Sequence, residues 1–108
     1  MERYEYMLTV GLNDKDTEKQ IIKTEDAKNI IADILINKYK LYAFTMIDCQ
    51  GVYKMESTGN IVRENSIRIE IVNDDTINYI FPIIDDIKKA LNQETVMVSE
   101  TPKNIMFV

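Results

Sequence analysis

The stretch LYAFTMIDCQGVYKMESTGNIVRENSIRIEIVN, residues 41–73, decides the fold of this chain. Near its end Ile67, Ile69 and Ile71 alternate with other residues, and this period of two is typical of a strand that buries one face. The first half alternates in the same way. Between the halves, residues 57–60 (Ser-Thr-Gly-Asn) suit a tight reversal, because Gly and Asn tolerate positive φ angles. The stretch therefore predicts two long strands joined by a turn.

The first strand of this hairpin presents two different faces. The residues that we predict to point toward the interior are Ile47, Cys49, Gly51 and Tyr53. The residues on its opposite, open face are then Met46, Asp48, Gln50 and Val52. A glycine inside a strand, here Gly51, also predicts a bulge or a close approach of another backbone.

The segment before the hairpin predicts one strand and one helix. Alternating apolar residues indicate a first strand over residues 4–12, followed by a polar loop over residues 13–20. Thr24 is expected to cap a helix that runs to about Lys38. The apolar stripe of that helix consists of Ala27, Ile30, Ile31, Ile34 and Leu35.

The segment after the hairpin predicts a second helix and a last strand. Residues 73–75 are expected to cap the helix, and its apolar face is formed by Ile77, Ile80, Ile84, Ile87 and Leu91. Pro82 predicts a kink or a break, because proline lacks a backbone donor and clashes with the preceding turn. A strand over residues 95–99 and an apolar tail complete the pattern.

The resulting order of elements is βαββαβ, in a single domain that spans residues 1–108 with a tail at 101–108. Right-handed crossovers fold such a chain into a ferredoxin-like plait, an α+β fold in which a four-stranded antiparallel sheet carries two helices on one face. The other face of the sheet is too apolar to remain exposed to solvent, so we expect that it is covered by a second subunit in a homo-oligomer or by the tail. The residues assigned to this open face are Met7, Thr9, Met46, Val52, Val72 and Met97.

The composition restricts the classes of partner. The chain has 18 acidic and 13 basic residues and a net charge of −5. Direct binding to nucleic acid is therefore disfavoured, because that affinity rests on lysine and arginine neutralising phosphates. Cys49 is the single cysteine, which favours a reducing compartment. The charged N-terminus and the lack of an apolar run of about 20 residues predict a cytoplasmic protein without a membrane span.

The absence of histidine limits the chemistry that the chain can perform. Histidine is the usual general base and, with cysteine, the usual zinc ligand, so we predict a non-enzymatic protein without a cofactor or a metal. Residues 14–25 match the acidic spacing of a calcium-binding EF-hand loop. However, Lys19 occupies the position that requires glycine, and the segment follows a strand. We interpret it as a solvated loop.

A charged group is predicted on the open face of the sheet near the hairpin. Its members are Asp48, Glu64, Arg68 and Glu70. Paired carboxylates can perform acid–base catalysis. Opposite charges on neighbouring strands also form exposed pairs that need no function, and we favour this interpretation.

Four segments carry a resemblance to known proteins: YMLTVGLNDKDT (residues 6–17), QGVY (50–53), SIRIEI (66–71) and LNQE (91–94). With the order of elements, they resemble a group of small ferredoxin-like proteins of phages and mobile elements of low-GC Gram-positive bacteria. The plait is also similar to PII-like trimeric regulators, which bind nucleotides in clefts between subunits. The resemblance implies the fold and oligomer formation, and it carries over no functional residue.

Two functions are expected from these features, ahead of a third, an enzyme that uses the plait as a scaffold for carboxylate or tyrosine chemistry, which the lack of histidine disfavours. The first is a non-enzymatic phage or mobile-element protein that inhibits a host defence complex, of the CRISPR type for instance, by covering a surface or sequestering a ligand. Its candidate partner-binding residues are Asp14, Asp16, Glu18, Asp48 and Glu70. The alternative is a PII-like oligomeric sensor that binds a small anionic metabolite or nucleotide between subunits. Its candidate ligand-binding residues are Lys15, Lys19 and Arg63.

Overall fold

The computed structural model describes residues 2–73 and 79–108. The four strands are β1 (Glu2–Gly11), β2 (Thr45–Lys54), β3 (Ile61–Asn73) and β4 (Met97–Asn104). The two helices are α1 (Thr24–Asp33), which a π-helical turn (Ile34–Lys38) continues, and α2 (Phe81–Ala90). The strands form one antiparallel sheet in the order β2-β3-β1-β4. This is the predicted ferredoxin-like fold, and the βαββαβ prediction is confirmed.

The hydrophobic core lies between the helices and one face of the two central strands. Alternate residues of β1 and β3 point into it, and apolar residues at helical spacing in α1 and α2 cover them from above. The side chains with no exposed surface include Leu8, Val10, Ile31, Leu35, Ile67, Ile69, Ile71, Ile83 and Ile87. Burying each of these side chains stabilises the fold by about 1.5–3 kcal/mol.

The faces of β2 are the reverse of those predicted. The register pairs Met46 with Ile69 and Asp48 with Ile67, so both residues lie on the helix side of the sheet. Lys28 of α1 confirms this orientation, because its Nζ lies 3.1 Å from Asp48 Oδ1.

The other face of β2 is the open face of the sheet, and the residues on it are Ile47, Cys49, Gly51 and Tyr53. Val52 pairs with Arg63 and, like Met46, lies on the helix side, so neither belongs to the open face. The β2–β3 register runs without interruption through Gly51, so the bulge predicted there is wrong.

Proline residues set two boundaries differently from the prediction. Pro82 stands in the first turn of α2, where its missing N–H has no helical partner to lose, so the helix begins there and does not kink. The expected cap at residues 73–75 lies partly outside the described residues, and Ile77 lies wholly outside them. β4 continues through Pro102 to Asn104, because an edge strand tolerates proline.

The start of α1 also differs from the prediction by one residue. Thr24, the predicted cap, is the first residue of α1, and Lys23 is its N-cap.

The π-helical turn is fastened to α2 through Asp86. Lys38 Nζ lies 2.7 Å from Asp86 Oδ2, and the Tyr39 hydroxyl donates a hydrogen bond to the same oxygen. Lys38, followed by Tyr39, lowers the pKa of Asp86, while the hydrogen bond to Asp86 raises the pKa of Tyr39 to about 12. The contact therefore stabilises the fold above the ordinary pKa of Asp86, and this stabilisation is lost as the pH falls through its lowered pKa.

None of the described helices is long and apolar enough to cross a membrane.

Two isoleucines of β3 offer a matched test of this core. Ile69 is fully buried and Ile61 is 63% exposed. We expect Ile69→Ala to lower the free energy of unfolding by about 2–5 kcal/mol, because it leaves a cavity in the core. Ile61→Ala should change it by about 0.5 kcal/mol or less. Urea denaturation of both variants measures the difference, and equal losses would contradict the packing described.

Candidate functional site

A cleft of about 410 Å³ opens on the free face of the sheet. Its floor is formed by the C-terminal end of β1 and the facing part of β3. Its walls come from the 13–20 loop, from the hairpin end of β2 and from the segment that leads into β4. The residues that bear polar groups into this lining include Asp14, Lys15, Glu18, Tyr53, Glu64, Ser66, Gln93 and Glu94.

The carboxylate of Glu64 is fixed over the backbone of β1. It accepts a hydrogen bond of 2.8 Å from the backbone N–H of Asn13. A Cβ added to Gly11 would stand only 2.5 Å from the Glu64 carboxyl group, which is less than any normal contact between such atoms. Glycine at position 11 therefore makes room for the acid. This arrangement orients one charged group toward the cleft without any help from a ligand.

Tyr53 lines the cleft from the neighbouring strand β2. Its pKa is raised, first by burial and then by the negative charges of Glu64 and Glu18. At neutral pH the hydroxyl therefore stays protonated, and it is available as a hydrogen-bond donor.

The 13–20 loop is shaped by its own acids. Asp14 Oδ2 accepts hydrogen bonds from the backbone N–H groups of Asp16 (3.0 Å) and Thr17 (3.2 Å). Asn92 Nδ2 donates to Asp14 Oδ1 at 2.8 Å and to Asp16 Oδ2 at 2.9 Å. The bond from Asn92, with smaller contributions from the backbone, lowers the pKa of Asp14. Asp14 and Asp16 thus hold the loop to the segment after α2.

The charges around the cleft favour a cationic ligand. Its lining contains four carboxylates, on Asp14, Glu18, Glu64 and Glu94, and one basic side chain, that of Lys15. A cleft whose walls carry charges of one sign concentrates the electric field and attracts ions of the opposite sign. Within the described residues no cluster of three or more metal-ligating side chains occurs.

The structure places the candidate anion-binding residues in different parts of the molecule. Lys15 lines the cleft, whereas Lys19, in the same loop, does not. Arg63 Nη1 lies 3.5 Å from Gln50 Oε1, on the helix side of the hairpin. The three cations therefore do not converge on one site.

The candidate partner-binding and oligomer residues are also divided. Asp14 and Glu18 line the cleft, and Asp16 is exposed beside them. Glu70 lies on the open face between Met7 and Thr45, away from Asp48 on the helix side. Met7 and Met97 lie on the open face as predicted.

Sequence reasoning missed the importance of Gly11, Tyr53 and Glu94 for this site. Glu64 was predicted to lie in a charged group on the open face, for which exposed charge pairing was favoured over acid–base catalysis. A small residue at a strand end was the available signal for Gly11, but its neighbour Glu64 is 53 positions away and is identified only by the strand register.

Comparisons with known proteins show similarity to several solved structures. No protein-family model matches the chain, and no curated protein matches it. Two solved structures of phage SAM lyase are similar. The complex with S-methyl-5'-thioadenosine has 23% identity and a TM-score of 0.69, covering 92% of this chain and 80% of the lyase. The apo state has 25% identity and a TM-score of 0.66, covering 94% and 81%.

Two further proteins share the fold at lower identity. The periplasmic divalent cation tolerance protein CutA of Archaeoglobus fulgidus has 12% identity and a TM-score of 0.61, covering 99% of this chain and 88% of CutA. The ATP complex of B. subtilis GlnK has 10% identity and a TM-score of 0.55, covering 93% and 82%. The chain therefore has the ferredoxin-like fold of CutA and GlnK, as the PII-like resemblance implied.

The two strand glycines next to Glu64 provide a test of the site. Gly11→Ala should push the Glu64 carboxylate off β1 and release the amide of Asn13, because the new methyl group occupies its place. Gly51→Ala should leave both unchanged, since its Cβ would lie 3.5 Å from the nearest atom, Ser66 Oγ. The measurement is the ¹⁵N-resolved chemical shift and hydrogen exchange of the Asn13 amide. An unchanged Asn13 amide in Gly11→Ala would refute the assigned contact.

Proposed function

We propose that this chain binds S-adenosylmethionine in the open-face cleft and cleaves it, with release of S-methyl-5'-thioadenosine. The observation that carries the proposal is the acidic cleft, in which Glu64 is fixed over Gly11 by the amide of Asn13. The likeness to two phage SAM lyase structures over more than nine-tenths of the chain supports it.

The charge of the proposed substrate fits the cleft. S-adenosylmethionine carries a sulfonium and an ammonium group, so it has two positive charges and one carboxylate. Four carboxylates and one lysine in the lining match this pattern. A nucleoside triphosphate would instead bring several negative charges close to the same carboxylates, and like charges repel at such distances. For this reason we prefer a sulfonium ligand to the anionic ligand expected of a PII-like sensor.

The chemistry also explains how such a protein could act without histidine. Release of S-methyl-5'-thioadenosine requires the bond between the sulfur and the γ-carbon of the amino-acid chain to break. The bonding electrons go to sulfur, which becomes a neutral thioether and needs no proton. A general acid for the leaving group, the role that histidine most often fills, is therefore unnecessary.

The electrons that replace the broken bond can come from two sources. The substrate's own carboxylate can attack the γ-carbon and close a lactone, which transfers no proton. Alternatively, a base removes a β-hydrogen and an alkene forms, for which Glu64 is the fixed carboxylate available. In both cases Glu64 positions the cationic substrate, and the protonated Tyr53 donates a hydrogen bond from the neighbouring strand. Analysis of the amino-acid product distinguishes lactone from alkene.

The open face supports the expected homo-oligomer. Apolar side chains remain exposed on it, with Ile47 at 42%, Val72 at 37% and Met97 at 66%. Arg68 lies among them, and its Nε is buried without a hydrogen-bond partner in the described structure. A buried donor without a partner is costly, so a group from a second copy would satisfy it. We infer that a second copy covers this face and closes the outer side of the cleft.

Catalysis can be tested by following the release of S-methyl-5'-thioadenosine by liquid chromatography. Glu64→Gln keeps an oxygen for the Asn13 amide but removes the charge, and we expect kcat/KM to fall about 10- to 100-fold, as for the loss of a charge-assisted contact. Glu100→Gln, on the exposed edge strand β4, is the matched control and should match the wild type. Binding of S-adenosylmethionine without turnover would favour sequestration by a non-enzymatic protein. Absence of binding would refute the proposal.

Oligomer formation can be tested separately by native mass spectrometry. Ile47→Glu places a charge on the open face and should reduce the oligomer to monomers, because a buried unpaired carboxylate is costly. Ile21→Glu, an equally large change at a residue 63% exposed in the loop before α1, should leave the subunit count unchanged. A monomeric wild-type protein, or an oligomer that survives Ile47→Glu, would contradict the inferred interface.

A further inference from the structure

The open-face cleft shares part of its lining, called the ridge below, with a second cleft of about 440 Å³ beside α2. Lys15, Gln93 and Glu94 form this ridge, and each of them lines both clefts. The second cleft is completed by side chains at the end of α2, namely Asp85, Lys88, Lys89 and Asn92. A ligand in the first cleft can therefore extend one end onto the ridge.

The ridge is held in place by hydrogen bonds that leave its two charged groups uncommitted. Gln93 is 9% exposed, and its Nε2 donates to the carbonyl oxygens of Asn13 (2.9 Å) and Leu91 (3.3 Å). The backbone N–H of Lys15 donates to Asn92 O at 3.1 Å, and that of Gln93 donates to Lys88 O at 2.9 Å. In the described part of the chain, the side chains of Lys15 and Glu94 form no ion pair. Their charges are free to meet a ligand.

We propose that the ridge recognises the α-amino-acid end of the ligand, with Lys15 bound to its carboxylate and Glu94 to its ammonium group. This inference rests on the proposed function and adds a specificity determinant to it. An amino-acid end carries opposite charges on one carbon, so it needs neighbouring groups of opposite sign. Lys15 is the one basic side chain in the described lining of the first cleft, and it stands beside Glu94 on the ridge.

The inference predicts which ligands distinguish a Lys15 variant from the wild type. S-adenosylhomocysteine and S-methyl-5'-thioadenosine are both neutral thioethers of adenosine, and only the former carries the amino-acid chain. Lys15→Met should weaken binding of S-adenosylhomocysteine about fivefold, the upper range for a solvent-exposed charge pair, and leave binding of S-methyl-5'-thioadenosine unchanged. Lys19→Met removes the same charge from the same loop outside both clefts and should bind both compounds as the wild type does.

Isothermal titration calorimetry of the purified oligomer with both compounds tests this expectation, and thermal unfolding shows whether the variants are folded. Selective weakening of S-adenosylhomocysteine in Lys15→Met alone would support the inference. Equal weakening of both compounds, or the same loss in Lys19→Met, would overturn it, as would wild-type affinity in Lys15→Met. If the wild-type protein binds neither compound nor S-adenosylmethionine, the proposed function itself fails and the inference with it.

Discussion

The pairing of β1 with β3 is the interaction on which the rest of the molecule depends. The register places Leu8 opposite Ile69 and Val10 opposite Ile67, so these four side chains form the centre of the buried face. The same register brings Gly11 opposite Ser66, two residues from Glu64. A shift by one residue would turn the core side chains toward the open face. The hydrophobic core therefore fixes the geometry of the cleft.

The cleft contains the groups on which the proposed reaction rests, in a chain without histidine. It combines a carboxylate held by a backbone amide, a phenol whose pKa is raised, and a ridge with one positive and one negative side chain. In the proposed reaction these groups would select and orient charge and supply little acid–base chemistry. That would be sufficient for a sulfonium substrate, because its leaving group departs as a neutral thioether and needs no proton. The lack of histidine excludes the commonest general base, and it does not exclude cleavage of a sulfonium substrate.

The sequence predicted the fold well because the signals that determine it are strong and local. The alternating isoleucines of β3 and the apolar stripes of the helices have one period each, and the members that the structure describes are buried or packed against the core. β2 was assigned the wrong face because it is an edge strand with apolar side chains on both sides, such as Met46 and Ile47, so its pattern does not distinguish them. The site could not be derived in the same way. Gly11, Tyr53, Glu64 and Glu94 come from four separate segments, and only the register of the sheet brings them together.

A crystal structure of the protein soaked with S-methyl-5'-thioadenosine would show directly where the ligand binds. We expect the nucleoside in the open-face cleft, with its sulfur and methyl group between Glu64 and Tyr53 and the ridge at the end where the amino-acid chain would continue. Nucleoside density at another place on the molecule, with the cleft occupied only by solvent, would contradict this expectation.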